Sequence, residues 1–194
     1  MKTVAVIFAR ADSVYKTLPG CDVWDQARDA RWWPGGGPVV AHPPCRLWAK
    51  LRQFAKAENP MMERQLAIDA VARIRRWGGV LEHPAESTLW AHCGLPRPGR
   101  APDNFGGWTA EIRQCDYGHK AEKLTWLYIV GCHPDDLPPM PLPGEPTGCI
   151  KPQRGVPRSL KIVTKAEREH TPRELAVWLV ELARRCNVTE TEAA

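Results

Sequence analysis

At 194 residues the chain can bury one sizeable core and is short of the length at which chains usually divide into two. Apolar residues make up 43%, yet no run approaches a bilayer span, and the opening Met1 to Phe8 lacks both the length and the small-residue site of a secretory leader, so a cytoplasmic protein is expected. A net charge of +5 suggests a polyanionic partner, and seven cysteines without a regular framework suggest reduced thiols rather than disulfides.

Residues 3–8 are an apolar, β-branched run that predicts a first strand. Asp12 or Ser13 is placed to cap a short helix ending before Pro19-Gly20. Cys21 to Trp24 predicts a second short strand, ending at Asp25. An acidic side chain there suits the ribose hydroxyls of a nucleotide-type cofactor, or simply caps the following turn; both readings stay open. Nine tryptophans are many for this length, and indoles mixed with Arg and Lys suit stacking on nucleobases as well as a core.

Val39-Val40-Ala41-His42-Pro43-Pro44-Cys45 is the most informative stretch. A buried strand runs into two prolines, which continue neither a sheet nor a helix interior, so the chain must turn sharply. Cys45 is thereby presented on a stiff loop at the carboxyl end of a strand, where open α/β sheets build their sites. Asn59-Pro60 then starts a helix with Ala67, Val71 and Ile74 on one face, and Gly78-Gly79 stops it. Arg73, Arg75 and Arg76 fall off that face, as a solvated or a phosphate-contacting surface. Val80-Leu81-Glu82-His83-Pro84 is the next strand. A right-handed crossover returns the chain to the same edge, which places Glu82 beside Cys45.

Residues 85–111 read as loop, and Leu124 to Gly131 as a confident strand. Residues 132–155 are rich in proline and read as irregular surface, and 151–165 form a basic stretch with Arg154 and Arg158 among its cations. Thr171-Pro172-Arg173-Glu174 has the form of a capping box opening a helix with Leu175, Trp178, Leu179, Leu182 and Cys186 on its apolar face. His92-Cys93, Cys115 with His119, and Cys132-His133 offer soft ligands, but none has the spacing of a structural zinc site, so no metal is expected. Phosphate-binding glycine loops are absent. A Cys/His protease with His42 or His83 as base fits the composition less well than attack of Cys45 on an electron-poor ring.

Four of these segments, in order, resemble the C5-type DNA cytosine methyltransferases. Pro43-Pro44-Cys45 is similar to the family's catalytic Pro-Cys loop, and Leu81-Glu82-His83-Pro84 to its Glu-Asn-Val/Pro motif. Asp116-Tyr117-Gly118 with Lys120, Lys123 and Tyr128-Ile129-Val130-Gly131 resembles its Asp-Tyr-Gly…Ile-Val-Gly motif, with lysines in place of arginines. Thr171 to Glu174 matches the opening of a late helix in the family.

The resemblance, to a compact, phage-like and divergent member, implies an α/β fold. That fold would be an open, mostly parallel Rossmann-like methyltransferase sheet with helices on both faces and a reduced cofactor half. One catalytic domain would span 1–186, with 132–170 an irregular insertion at the target-recognition position and 187–194 a flexible tail. Cys45 would add to C6 of the pyrimidine, with Glu82 assisting at N3 and N4. Pro44, His83, Lys120, Lys123 and Thr125 would bind the substrate. Phe8, Asp25, His42 and Pro43 would bind S-adenosylmethionine, and DNA would be the partner. A base in a duplex must be flipped out to reach Cys45.

No glycine follows Phe8 where the family carries its cofactor motif, and His83 stands where it carries Asn. Two further readings therefore stay open: the same Cys/Glu chemistry with another donor or a nucleotide substrate, and an inactive relative that only binds DNA.

Overall fold

A computed structural model of the chain describes residues 2–151 and 159–188. Six strands form one open sheet in the order β2-β1-β3-β4-β6-β5: β1 is Val4–Ala9, β2 Cys21–Asp25, β3 Val39–Ala41, β4 Gly79–Pro84, β5 Trp108–Arg113 and β6 Leu124–Val130. The pairings of β1 with β2 and β3, and of β3 with β4, are parallel, whereas β6 runs antiparallel to both β4 and β5. Strand order reverses between β1 and β3, the place where open α/β sheets leave a crevice at their carboxyl ends.

Each face of the sheet has its own core. Helix α1 (Pro60–Trp77) buries Ala67, Ala70, Val71 and Ile74 against Ile7, Val39, Ala41, Leu81 and Tyr128, and the short α2 (Thr88–Cys93) adds Leu89 and Trp90. The opposite face, with Val6, Val40, Val80, Leu127 and Ile129, packs on Leu175, Leu179 and Leu182 of the last helix (Arg173–Arg185). Alternate residues of one strand thus serve different cores, as the two-residue period of a strand requires. The helix of residues 60–77 starts as expected, with Asn59 accepting from the Met62 N–H and Pro60 at its first turn. Gly78, at φ 74°, ends it.

Several local expectations need correction. Residues 85–111 are not all loop, since α2 and β5 lie within or across them. Ser13 precedes a 3-10 turn without a side-chain cap, and Asp12 instead bonds Arg10. The capping box is not at Thr171, because Pro172 is the cap residue there and makes no side-chain bond. It is formed by Thr164 and Glu167 on a short helix, α3 (Lys165–Glu169), that precedes this last helix, α4. Within 132–170, residues Gly148–Cys149 (β7) and Lys161–Ile162 (β8) pair as a small second sheet. Arg154, Arg158 and residues 189–194 of the expected tail lie outside the described residues.

Two of the three arginines off the apolar face of α1 are spent internally: Arg73 donates to the carbonyls of Arg31 and Trp33, and Arg75 to Tyr128, Asp103 and the Cys93 carbonyl, while Arg76 is exposed and lies over the Trp77 ring. Most indoles are core as well; only Trp32, 78% exposed, stands free. All seven cysteines are free thiols. Among the described residues no helix is long and apolar enough to cross a membrane.

Candidate active site

β3 and β4 are adjacent and parallel, with Ala41 opposite Leu81, so the segments leaving both strands begin at one sheet edge. His42 keeps one more bond to the sheet, from its N–H to the Ile7 carbonyl. Pro43 is buried, Pro44 and Cys45 are half-buried, and the Cys45 carbonyl accepts from the Trp48 and Ala49 N–H groups at 2.9 Å each. The loop is anchored by Trp48, which is fully buried. Cys45 is therefore held from both sides, by a proline pair before it and a packed turn after it.

Glu82 is the residue on which the polar network converges. Its side chain is 13% exposed, and His42 Nδ1 lies 3.1 Å from Oε2. Gln114 Nε2 donates to Oε1 at 2.8 Å and to Thr125 Oγ1 at 3.0 Å. Burial opposes ionisation of this carboxyl, but the Lys123 charge and the His42 hydrogen bond outweigh it and hold the pKa at about 2. Cys45 feels the same groups in the opposite sense. Burial first, and then the Glu82 charge, push its thiol up to about 11, while Lys123 pulls it down. Lys123 sits at φ 40°, an uncommon conformation for a side-chain-bearing residue and one that clusters at functional sites. Cys45, Glu82 and Lys123 thus share one electrostatic site.

Beside that site lies a cleft of about 1070 Å³, lined among others by Phe8, Asp25, Arg31, Pro44, Arg46 and Glu63. Its size is that of a small-molecule site. Pro44, next to Cys45, forms part of its wall. Phe8 takes φ 60° where the pairing of β1 with β2 slips, so the end of β1 turns into the cleft without a glycine. Asp25 spends both oxygens locally: Oδ2 accepts from Lys16 at 2.7 Å and Oδ1 from the Ala27 and Arg28 N–H groups. The Lys16 hydrogen bond, followed by those backbone donors, keeps its pKa below the usual carboxylate range. Asp25 is thus a turn cap that also lines the cleft.

The other expected site residues divide sharply. His42 does not line the cleft but links Glu82 to Tyr15, whose Oη lies 2.9 Å from Nε2. His83 follows Glu82 on β4 and so points to the other face, where it is fully buried beside Trp90. Neither of its ring nitrogens makes a hydrogen bond, although the Pro44 carbonyl lies near, and burial lowers its pKa to about 4. It offers no surface to a substrate. Thr125 is fully buried and supports Gln114, donating in turn to the Lys123 carbonyl. Lys120 is exposed and paired with Glu167 of α3.

Gln114 and Tyr15 carry no motif, and sequence reasoning passed over both. Among the described residues no three His, Cys, Asp or Glu side chains gather as a metal site. Comparison of the chain with protein-family models, with curated proteins and with solved structures finds no match to any of them.

Proposed function

We propose that the chain modifies pyrimidine rings by covalent catalysis, as a compact DNA cytosine-C5 methyltransferase of Rossmann-like fold. The observation that carries this reading is the pairing of β3 with β4 and of β4 with β6, which brings the segments bearing Cys45, Glu82 and Lys123 to one sheet edge. Cytosine C5 is a poor nucleophile until a thiolate adds at C6, which makes C5 enamine-like and splits one hard step into two. Cys45 supplies the sulfur. Glu82 accepts from the N4 amino group and addresses N3, where charge develops, and Lys123 offers a fixed positive charge to the ring oxygen or a phosphate. Burial favours the neutral thiol, so as the ring docks the Sγ–H bond breaks and its proton passes to solvent before the sulfur adds.

The cleft beside Pro44 fits an adenosine-containing sulfonium donor in size, and its wall alternates carboxylates (Asp25, Asp29, Glu63) with cations (Arg31, Arg46). When bound there, such a donor supplies the methyl group. Phe8 and Pro44 would pack on it, with Asp25 at its polar end. Trp32 and Phe54, both more than three-quarters exposed, and the exposed Arg52 supply stacking faces and positive charge for a DNA strand brought to Cys45.

Two observations favour a second reading in which the Cys/Glu chemistry serves another donor or a nucleotide. Phe8 and Ala9 occupy the turn where close backbone approach to the donor would call for glycine, and both Asp25 oxygens are already engaged.

Calorimetric titration with S-adenosylmethionine, followed by incubation with DNA containing 5-fluorocytosine, separates the readings. Binding heat together with a covalent adduct at Cys45 supports the methyltransferase. An adduct without binding heat selects the second reading. If neither appears, S-adenosylmethionine-dependent methylation of cytosine is rejected, because the fluorine locks the adduct only after C5 has received a methyl group.

A further inference from the structure

The covalent reading leaves a gap that the geometry around His42 fills. As the Cys45 Sγ–C6 bond forms, the ring's electron density moves to N3, which must take up a proton. Glu82 is the group placed to give it, yet its carboxyl stands ionised. His42 Nδ1 lies 3.1 Å from Glu82 Oε2, and its other nitrogen is fixed 2.9 Å from the hydroxyl of Tyr15. The carboxylate has no proton, so the ring nitrogen is the donor of that bond. Tyr15 is almost fully buried, and burial with the Glu82 charge keeps its own hydroxyl protonated.

We propose that Tyr15, His42 and Glu82 form a proton line, with His42 the carrier that recharges Glu82 and Tyr15 a positioning residue that fixes the imidazole. This inference rests on the covalent reading above. The transfer balances within the line. The His42 imidazolium Nδ1–H bond breaks as a Glu82 O–H bond forms, and that O–H breaks as N3–H forms. After methyl transfer the C5–H proton is lost to water as the Sγ–C6 bond breaks, and the N3 proton returns by the same route. The charged or titratable neighbours of Glu82 are His42, Lys123 and Cys45, with His83 behind the strand. Of these only His42 is hydrogen-bonded to the carboxylate and able to donate. Lys123 acts on it by charge alone, Cys45 has its own bond to make, and His83 is held neutral by burial.

The variant His42→Asn keeps a donor beside Glu82 but cannot act as an acid. The rate of adduct formation with 5-fluorocytosine DNA should fall at least about 100-fold in His42→Asn, and the alkaline limb of the wild-type rate profile should disappear. Tyr15→Phe should slow the reaction less, keeping the limb. A His42→Asn variant that reacts at the wild-type rate with an unchanged profile would reduce His42 to an orienting group and overturn the proposal. Failure of the wild-type protein to form any adduct strikes the covalent reading instead. In that event the line is still tested by nitrogen NMR of the His42 ring: its Nδ1 signal must move in Glu82→Gln, and an unmoved signal refutes the coupling.

Discussion

Gln114 Nε2 bridges Glu82 Oε1 and Thr125 Oγ1, so a residue at the end of β5 holds a carboxylate on β4 from across the antiparallel strand β6. Gln114→Leu removes that donor and leaves a buried carboxylate half-supported. The same change removes the Gln114 Oε1, a buried acceptor without a partner, which offsets part of the loss. A destabilisation of about 1–2 kcal/mol is expected in urea unfolding, with weaker activity. Unchanged stability would mean the bridge contributes nothing net.

Cys45 should be sluggish toward iodoacetamide at neutral pH, because burial and the Glu82 charge hold its thiol near 11. Removing the negative neighbour in Glu82→Gln should raise the alkylation rate at pH 8, and removing the positive one in Lys123→Met should lower it. Peptide-mapped alkylation kinetics decide the matter; a change in the opposite direction for either variant would place that charge elsewhere.

Acid should weaken the fold in two windows. His83 is neutral in the folded protein down to about pH 4, whereas the unfolded chain takes up its proton near 6.5. The unfolded state then binds more protons, so stability is full above 6.5 and is lost as pH falls toward 4. Between pH 7 and pH 5 this group costs roughly 2 kcal/mol. Glu82 adds a second loss as pH falls from its ordinary value of 4.5 toward 2. In His83→Leu, denaturant titrations at pH 7 and pH 5 should agree closely; a slope equal to that of the wild type would assign the acid lability to another group.

Glu167→Gln should tighten binding to DNA. The substitution keeps the capping box of α3, since glutamine serves there as well as glutamate, but releases Lys120 from its ion pair. One more cation free to meet a phosphate should steepen the dependence of log affinity on log salt by about 1. Fluorescence anisotropy across a salt series measures it, and an unaltered slope would show that Lys120 faces away from the polyanion.

The parts of the site that could be read from the residues are those set by local rules. Asn59-Pro60 and the paired glycines bound α1, and the prolines after Val39-Val40-Ala41 place the Cys45 turn; both need only neighbours in sequence. β5 escaped because it is an edge strand with a mixed burial pattern entered from a glycine turn, and it pairs only with β6. The choice between Thr164 and Thr171 as capping residue was invisible, since both precede a glutamate at the same spacing. His83 misled for a different reason. Its neighbour Glu82 joins the polar network, but the alternation of β4 sends the two side chains to opposite faces, and His83 is buried. Gln114 and Tyr15 reach Glu82 and His42 only through tertiary packing, and no spacing in the chain announces that.

Gly79 begins β4 at φ 127°, and a Cβ placed on it would stand 2.0 Å from the Val39 carbonyl oxygen. The first residues of β3 and β4 are therefore pressed together without a side chain between them, three residues upstream of Glu82. This contact works as a gauge that sets how far apart the two strands lie where they begin. A methyl group at position 79 would have to push the Val39 backbone away.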